Sequence, residues 1–261
     1  MKRATCNIRS FTSQINVKID QVLNDYKRQL ILVEHKAFKG YEYFLFNKKI
    51  QPYPIDKLIS RMELDNIGKK TLRKSYDEFQ DKYNNLINQY VKPRAESNDL
   101  SSNAKQIAEK LIQKPSQVKW NASVRDTITS LLAYIFALWT LNNSEHCFDI
   151  IDLEEKKRYL VKPHQTQIVS ILCMLGINDK KEHLKNRVVE IGIGEGKSLI
   201  VAVTACVLAL LGFDIRCVCY NEDLCQRSSN EFSYLFQTLG ITEYIRYVTF
   251  NKLCEELINE N

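Results

Sequence analysis

The residues best suited to chemistry form a short glycine-rich segment, Gly194-Glu195-Gly196-Lys197-Ser198. Its two glycines lack a Cβ atom, so the backbone can adopt positive φ values and bring its N–H groups close to an anion. Lys197 adds a cation that can reach the β- and γ-phosphates of a nucleotide, and Ser198 adds a hydroxyl that can ligate Mg²⁺. Together these residue types predict a loop that binds a polyphosphate.

The segment departs from the full Walker pattern, which places a glycine where this chain has Ile191. A Gly-Lys-Ser tripeptide alone is common by chance. Here, however, a run of β-branched residues precedes the loop and a long apolar run follows it. A strand before the loop and a helix after it are the context that phosphate binding requires, so we predict nucleotide binding rather than a chance glycine turn.

The elements that must hold this loop alternate between strand and helix. Arg187–Ile191 and Asp214–Tyr220 are rich in β-branched residues and are predicted strands. Residues 163–175, 197–211 and 226–239 are predicted helices. This order is typical of the start of a parallel α/β sheet with a right-handed crossover.

The chain before residue 156 is predicted to be mainly helical. An apolar stripe of helical period runs from Ile15 to Leu30, and a second, heptad-like stripe lies between residues 72 and 90. The members of the second stripe are Leu72, Tyr76, Phe79, Tyr83, Leu86 and Tyr90. It is too short for an extended coiled coil, and Pro52 and Pro54 interrupt the chain before it, so a helical hairpin or bundle is expected.

Polar residues at 91–103 predict a linker or long loop, and a short helix is expected at 104–113. The segment that begins at Ala122 is apolar on nearly every face, which predicts a buried helix packed against the nucleotide-binding part. The predicted domains are a basic helical region at 1–100, connecting helices at 101–155, and the N-terminal part of a nucleotide-binding domain at 156–261.

The net charge of +6 is unevenly distributed along the chain. Residues 1–100 hold 19 Lys and Arg against 12 Asp and Glu, a net of +7, and the remainder holds 18 against 19, a net of −1. A solvated helical face explains such a surplus, and contact with nucleic acid or acidic lipid is the alternative. No basic–aromatic nucleic-acid motif accompanies it, so nucleic acid is the less favoured partner.

The eight cysteines indicate free thiols of a reducing compartment, because several lie within apolar segments. The sequence has neither a Cys-x-x-Cys motif nor a paired His/Cys cluster, so we expect no zinc site. No run reaches the roughly 20 apolar residues of a membrane span, and no secretory signal is recognisable at the N-terminus. We therefore expect a cytoplasmic protein without a membrane span, in which peripheral contact through the basic region remains open.

The residues around the loop resemble the SecA preprotein translocase ATPases, a group of DEAD-type helicase-like motors. That family has Gly-Glu-Gly-Lys-Thr, also without the first Walker glycine, and a glutamate before the loop like Glu190. Residues 220–227, Tyr-Asn-Glu-Asp-Leu-Cys-Gln-Arg, are similar to its Val-Asn-Asp-Tyr-Leu-Ala-Gln-Arg. Residues 236–240 match its Phe-x-x-Leu-Gly. The resemblance spans about residues 160–250 and finds nothing similar in residues 1–150.

This resemblance implies a partial RecA-like sheet that binds ATP and Mg²⁺. The adenine-reading glutamine of the family corresponds best to Gln167, with Gln165 as the alternative, since an amide matches the donor and acceptor edge of adenine. The phosphate contacts fall to Gly194, Glu195, Gly196 and Lys197, and the Mg²⁺ contact to Ser198. A polypeptide is the implied substrate or translocation partner.

The sequence contains no Asp-Glu-x-Asp motif and no second RecA-like lobe, which in such motors hold Mg²⁺ and supply arginines. We therefore interpret it as a divergent SecA-like chain, truncated within its first nucleotide-binding domain, that binds nucleotide but does not hydrolyse it alone. Two alternatives stay open: a non-enzymatic helical interaction module with a vestigial phosphate loop, and an RNA-helicase-like lobe.

Overall fold

The structure is a computed structural model that describes residues 54–91, 97–110, 120, 122–144, 157, 160–178, 184–192 and 195–259. The chain divides into two compact units, and the helices and strands described below lie in the unit that comprises Gln51–Asn143 and Val161–Asn261. The predicted helix at Ile15–Leu30 and Gly194 of the loop lie outside the described residues. The predicted domain division stays a prediction.

The first described helices are α1, Ile55–Ser60, and α2, Asn66–Tyr90. Asp65 begins α2 as its N-cap, because its side chain accepts a hydrogen bond of 2.6 Å from the Gly68 backbone N–H. All six members of the predicted heptad-like stripe are buried in α2. The helix prediction for this segment is confirmed.

Helix α3, Ser97–Glu109, corrects the predicted linker at 91–103. Leu100, Ala104 and Ala108 recur every four residues and are buried, so this polar segment has a narrow apolar face. Ser101 is buried as well, and its hydroxyl donates a hydrogen bond of 2.8 Å to the backbone oxygen of Thr238. The predicted short helix therefore begins at Ser97 rather than at Ala104.

Helix α4, Ala122–Asn143, is the predicted apolar helix, and it packs against α2 and α3. Of the described helices it alone has the length and composition to cross a membrane, but two thirds of that stretch is buried within the protein. Such burial is typical of a core helix. Tyr83 of α2 and Thr140 of α4 share a buried hydrogen bond of 2.9 Å across this interface.

Helices α5, Gln165–Met174, and α6, Lys197–Leu210, pack against each other. Helix α6 is buried along nearly its whole length. It also contacts α4, the apolar helix that was predicted to pack against this part of the chain. Its end is set by Gly212, whose φ of 85° lies in the left-handed region that glycine adopts without strain.

A two-stranded parallel sheet follows, with β1, Ile215–Cys219, paired in register with β2, Ile245–Thr249. Helix α7, Glu222–Leu239, connects the strands and packs on β2, and helix α8, Phe250–Asn259, follows β2. Four apolar residues spaced at helical intervals are buried along α7: Phe232, Leu235, Phe236 and Leu239. The prediction of an α/β region after a helical region is confirmed.

The predicted strand at Arg187–Ile191 is not formed among the described residues. This segment runs without a strand partner, and Val188 is fully exposed. Extended backbone becomes a strand only when a neighbouring chain segment supplies the hydrogen bonds, and β1 pairs instead with β2. The described sheet therefore has two strands, of which β1 was predicted and β2 was not, and the segment at Arg187–Ile191 is not part of it.

The six described cysteines are free, and four of them are buried. Burial raises the pKa of Cys173 to about 11, against the smaller opposing effect of Arg187. Burial likewise raises the pKa of Cys217 to about 11. These thiols are therefore protonated at neutral pH and behave as small apolar core residues.

Candidate nucleotide-binding site

The predicted phosphate loop leads directly into the first turn of α6. Gly196 is the N-cap residue and lies in the left-handed region, with φ 77° and ψ 44°. No side chain caps this helix, whereas Asp65 caps α2 and Asn221 caps α7. The first N–H groups of α6 have no partner within the helix, and together with the helix dipole they favour an anion at this end.

The Lys197 side chain folds back along the loop. Its ammonium group donates hydrogen bonds of 2.9 Å to the Gly192 carbonyl oxygen and 3.4 Å to that of Ile191. Lys197 and Ser198 are both exposed in the first turn of α6. A lysine held by two backbone carbonyls at the loop can exchange these weak acceptors for the stronger phosphate oxygens of a ligand.

Two consecutive residues of α5 hold Glu195. The Thr166 hydroxyl donates a hydrogen bond of 2.9 Å to the Glu195 carboxylate, and the Gln167 amide donates one of 3.1 Å to the Glu195 backbone oxygen. The structure therefore brings Gln167, Glu195, Gly196 and Lys197 together at the ends of α5 and α6. This arrangement joins the glutamine segment and the loop, which lie about 30 residues apart in the sequence.

Gln165 lies two residues before Gln167 on α5 and faces a different neighbour, Tyr76 of α2. Its side-chain oxygen is buried without a hydrogen-bond partner. The nearby Tyr76 hydroxyl of α2 donates to Gln80 at 3.3 Å. Burial raises the pKa of Tyr76, opposed in part by Arg73 and by a hydrogen bond from Gln165.

Sequence reasoning missed Thr166 and the acceptor carbonyls of Ile191 and Gly192. Every residue has a backbone carbonyl, so the sequence does not show which carbonyls will accept a hydrogen bond. The only sequence signal for Thr166 was its position between the two glutamines. The described residues contain no group of three or more His, Cys, Asp or Glu side chains that could hold a metal ion.

Comparison with known proteins identifies the family but provides no similar individual protein. No curated protein and no solved structure matches the chain. The SecA DEAD-like domain matches residues 66–252, which is more than half of the sequence. The match begins at Asn66, so the resemblance at 160–250 was drawn too short and helices α2, α3 and α4 are part of the matched domain. The chain belongs to the SecA DEAD-like domain family, whose members are ATP-binding, helicase-like motor domains.

Proposed function

We propose that this chain binds Mg-ATP through residues 194–198 at the first turn of α6. The observation that carries the proposal is the uncapped start of α6 at a left-handed Gly196, with Lys197 held beside it. In this proposal the loop backbone from Gly194 to Gly196 and the Lys197 ammonium bind the phosphates. Ser198 ligates Mg²⁺, and an amide in the first turn of α5, from Gln167 or Gln165, contacts the base.

The local geometry around Lys197 and Ser198 supports their part of the proposal. Lys197 follows the N-cap directly, and its ammonium lies against the carbonyl oxygens of Gly192 and Ile191 at the start of the loop. Ser198 is exposed at the next position. The first turn of α6 contains no acidic residue that would repel a polyphosphate.

Replacing Lys197 with alanine is expected to weaken Mg-ATP binding about 10- to 100-fold, because a hydrogen bond to a charged group contributes about 1.5–3 kcal/mol. Isothermal titration calorimetry measures this loss directly. Lys252→Ala is the matched control, since it removes one exposed lysine from α8. Equal affinities of the wild type and Lys197→Ala would contradict the proposal, and a folded wild type that binds no ATP would favour the helical interaction module.

The polypeptide of these 261 residues is expected to hydrolyse ATP no faster than its Lys197→Ala variant. The sequence contains no Asp-Glu-x-Asp motif. Transition-state arginines alone contribute about 10³- to 10⁵-fold to phosphoryl transfer in related chemistry, and a second lobe would have to supply them. A coupled phosphate-release assay tests this, and turnover well above the variant would contradict it.

The family suggests a polypeptide as the substrate class of the motor, and we propose this partner and a cytoplasmic location for the chain. Nucleic acid is the competing partner. Filter binding to RNA at two salt concentrations separates the two, because phosphate-dominated binding weakens steeply as salt rises. Strong, salt-sensitive retention of RNA would favour the RNA-helicase-like reading.

A further inference from the structure

The oxygen and the nitrogen of the Gln167 amide both form hydrogen bonds within the protein. Its oxygen accepts a hydrogen bond of 2.9 Å from the His164 backbone N–H, and its nitrogen donates one of 3.1 Å to the Glu195 backbone oxygen. The residue is only 5% exposed. One N–H and one lone pair remain, but a side chain this deeply buried presents little surface to a nucleotide base.

Gln167 also packs directly against the residue that begins α6. A Cβ atom built at Gly196 would collide with the Gln167 amide nitrogen. The amide therefore occupies the space that the missing side chain of Gly196 leaves, while it holds the preceding carbonyl. Thr166 adds a second link from α5 through the Glu195 carboxylate. Both the backbone and the side chain of Glu195 are thus fixed from one helix.

We propose that Gln167 is a positioning residue of the phosphate loop and not the amide that reads the base. It holds the Glu195 carbonyl and Gly196 so that the first N–H groups of α6 keep their direction toward the phosphates. The inference rests on the proposed function. It assigns no base contact to Gln165, because the Gln165 side-chain oxygen is itself buried and its side chain hydrogen-bonds Tyr76 of α2.

The test compares Gln167→Met with Gln165→Met, two identical substitutions in the first turn of α5. Calorimetry with Mg-ATP, Mg-GTP and Mg-tripolyphosphate separates phosphate from base recognition, because tripolyphosphate has no base. Gln167→Met is expected to weaken all three ligands by a similar factor, about tenfold, since it removes two hydrogen bonds that preorganise the loop. Gln165→Met is expected to leave tripolyphosphate affinity unchanged.

A Gln167→Met variant that loses ATP affinity but binds tripolyphosphate like the wild type would overturn the inference and make Gln167 the base reader. If Gln167→Met does not fold, Gln167→Glu provides the same comparison. Its carboxylate can still accept from the His164 N–H, but it cannot donate to the Glu195 carbonyl.

Hydrogen exchange without ligand distinguishes failure of the inference from failure of the proposed function. The backbone amides between Gly192 and Lys197 are expected to exchange faster in Gln167→Met than in Gln165→Met. Unchanged exchange in Gln167→Met would overturn the positioning role even if ATP binds. Faster exchange in a protein whose wild type binds neither ATP nor tripolyphosphate would support the link between α5 and the loop while it contradicts the proposed function.

Discussion

Replacing Gly196 with alanine is expected to abolish measurable Mg-ATP binding. The left-handed φ of 77° costs an alanine about 1–2 kcal/mol, and the new Cβ would also collide with the Gln167 amide. The loop or α5 must move to relieve that collision. Charge-assisted hydrogen bonds from the first-turn N–H groups contribute about 1.5–3 kcal/mol each, so the loss of two of them corresponds to a loss of at least about 100-fold in affinity.

The control for Gly196→Ala is Gly240→Ala. Gly240 has a φ of 64° at the C-terminal end of α7, so alanine meets the same backbone penalty there. The atom nearest to its new Cβ is the flexible Lys105 ammonium nitrogen, which can move away. We expect Gly240→Ala to lose thermal stability through the backbone penalty alone and to keep normal ATP affinity. Normal ATP affinity in Gly196→Ala would contradict the phosphate-loop geometry.

The helices were predictable because their hydrophobic period is a local property of the sequence. Leu72 to Tyr90 and Phe232 to Leu239 show their buried faces directly. Helix α3 was missed at its start because two of its three buried apolar positions are alanines, Ala104 and Ala108, which contribute little to a hydrophobic pattern. Its single large apolar anchor, Leu100, lies among serines and asparagines that favour turns.

The strand prediction at Arg187–Ile191 failed for a different reason. Valine and isoleucine favour extended backbone, but whether that backbone becomes a strand depends on a partner from elsewhere in the chain. The parallel pairing of Ile215 with Ile245 has the same nonlocal origin, and β2 was not recognised beforehand. The local sequence shows which segments favour extended backbone, but it does not show which other segment will pair with them to form a strand.

The residue types of the candidate site were predicted from the sequence, whereas the contacts between them were not. Gly196 and Lys197 lie where the motif requires them, at the start of an apolar helix. The link from Gln167 to Glu195 could not be predicted, because it depends on how α5 approaches α6 in space. Residue types identify which groups can bind a nucleotide. Packing determines which of those groups already form hydrogen bonds within the protein.

Replacing Phe136 with alanine is expected to lower the free energy of unfolding by about 3–5 kcal/mol. Phe136 of α4 is fully buried, and its ring meets Phe79 edge-on with ring centres 5.7 Å apart. Trp139 contributes a second edge-on contact at 6.3 Å. The loss is a large part of the roughly 5–15 kcal/mol by which a domain is stable, because the removed ring leaves a cavity between α2 and α4.

Urea unfolding followed by circular dichroism measures this change, and Asp126→Ala is the control on the same helix. Asp126 is exposed, so its substitution should change stability by less than about 0.5 kcal/mol. A loss below about 1 kcal/mol in Phe136→Ala would contradict the packing of α4 as a core helix. That outcome would favour instead a helix that meets a different environment, such as a membrane.

The same experiment connects the helical core to the proposed site. Helix α4 contacts α6, and both belong to one compact unit, so the core and the phosphate loop are expected to unfold together. A ligand that binds only the folded state stabilises it by about 2.7 kcal/mol at 100 times its dissociation constant. Saturating Mg-ATP should therefore raise the urea midpoint of Phe136→Ala as well as that of the wild type. A midpoint that ATP raises in neither protein, despite calorimetric binding, would show that the loop opens independently of the core.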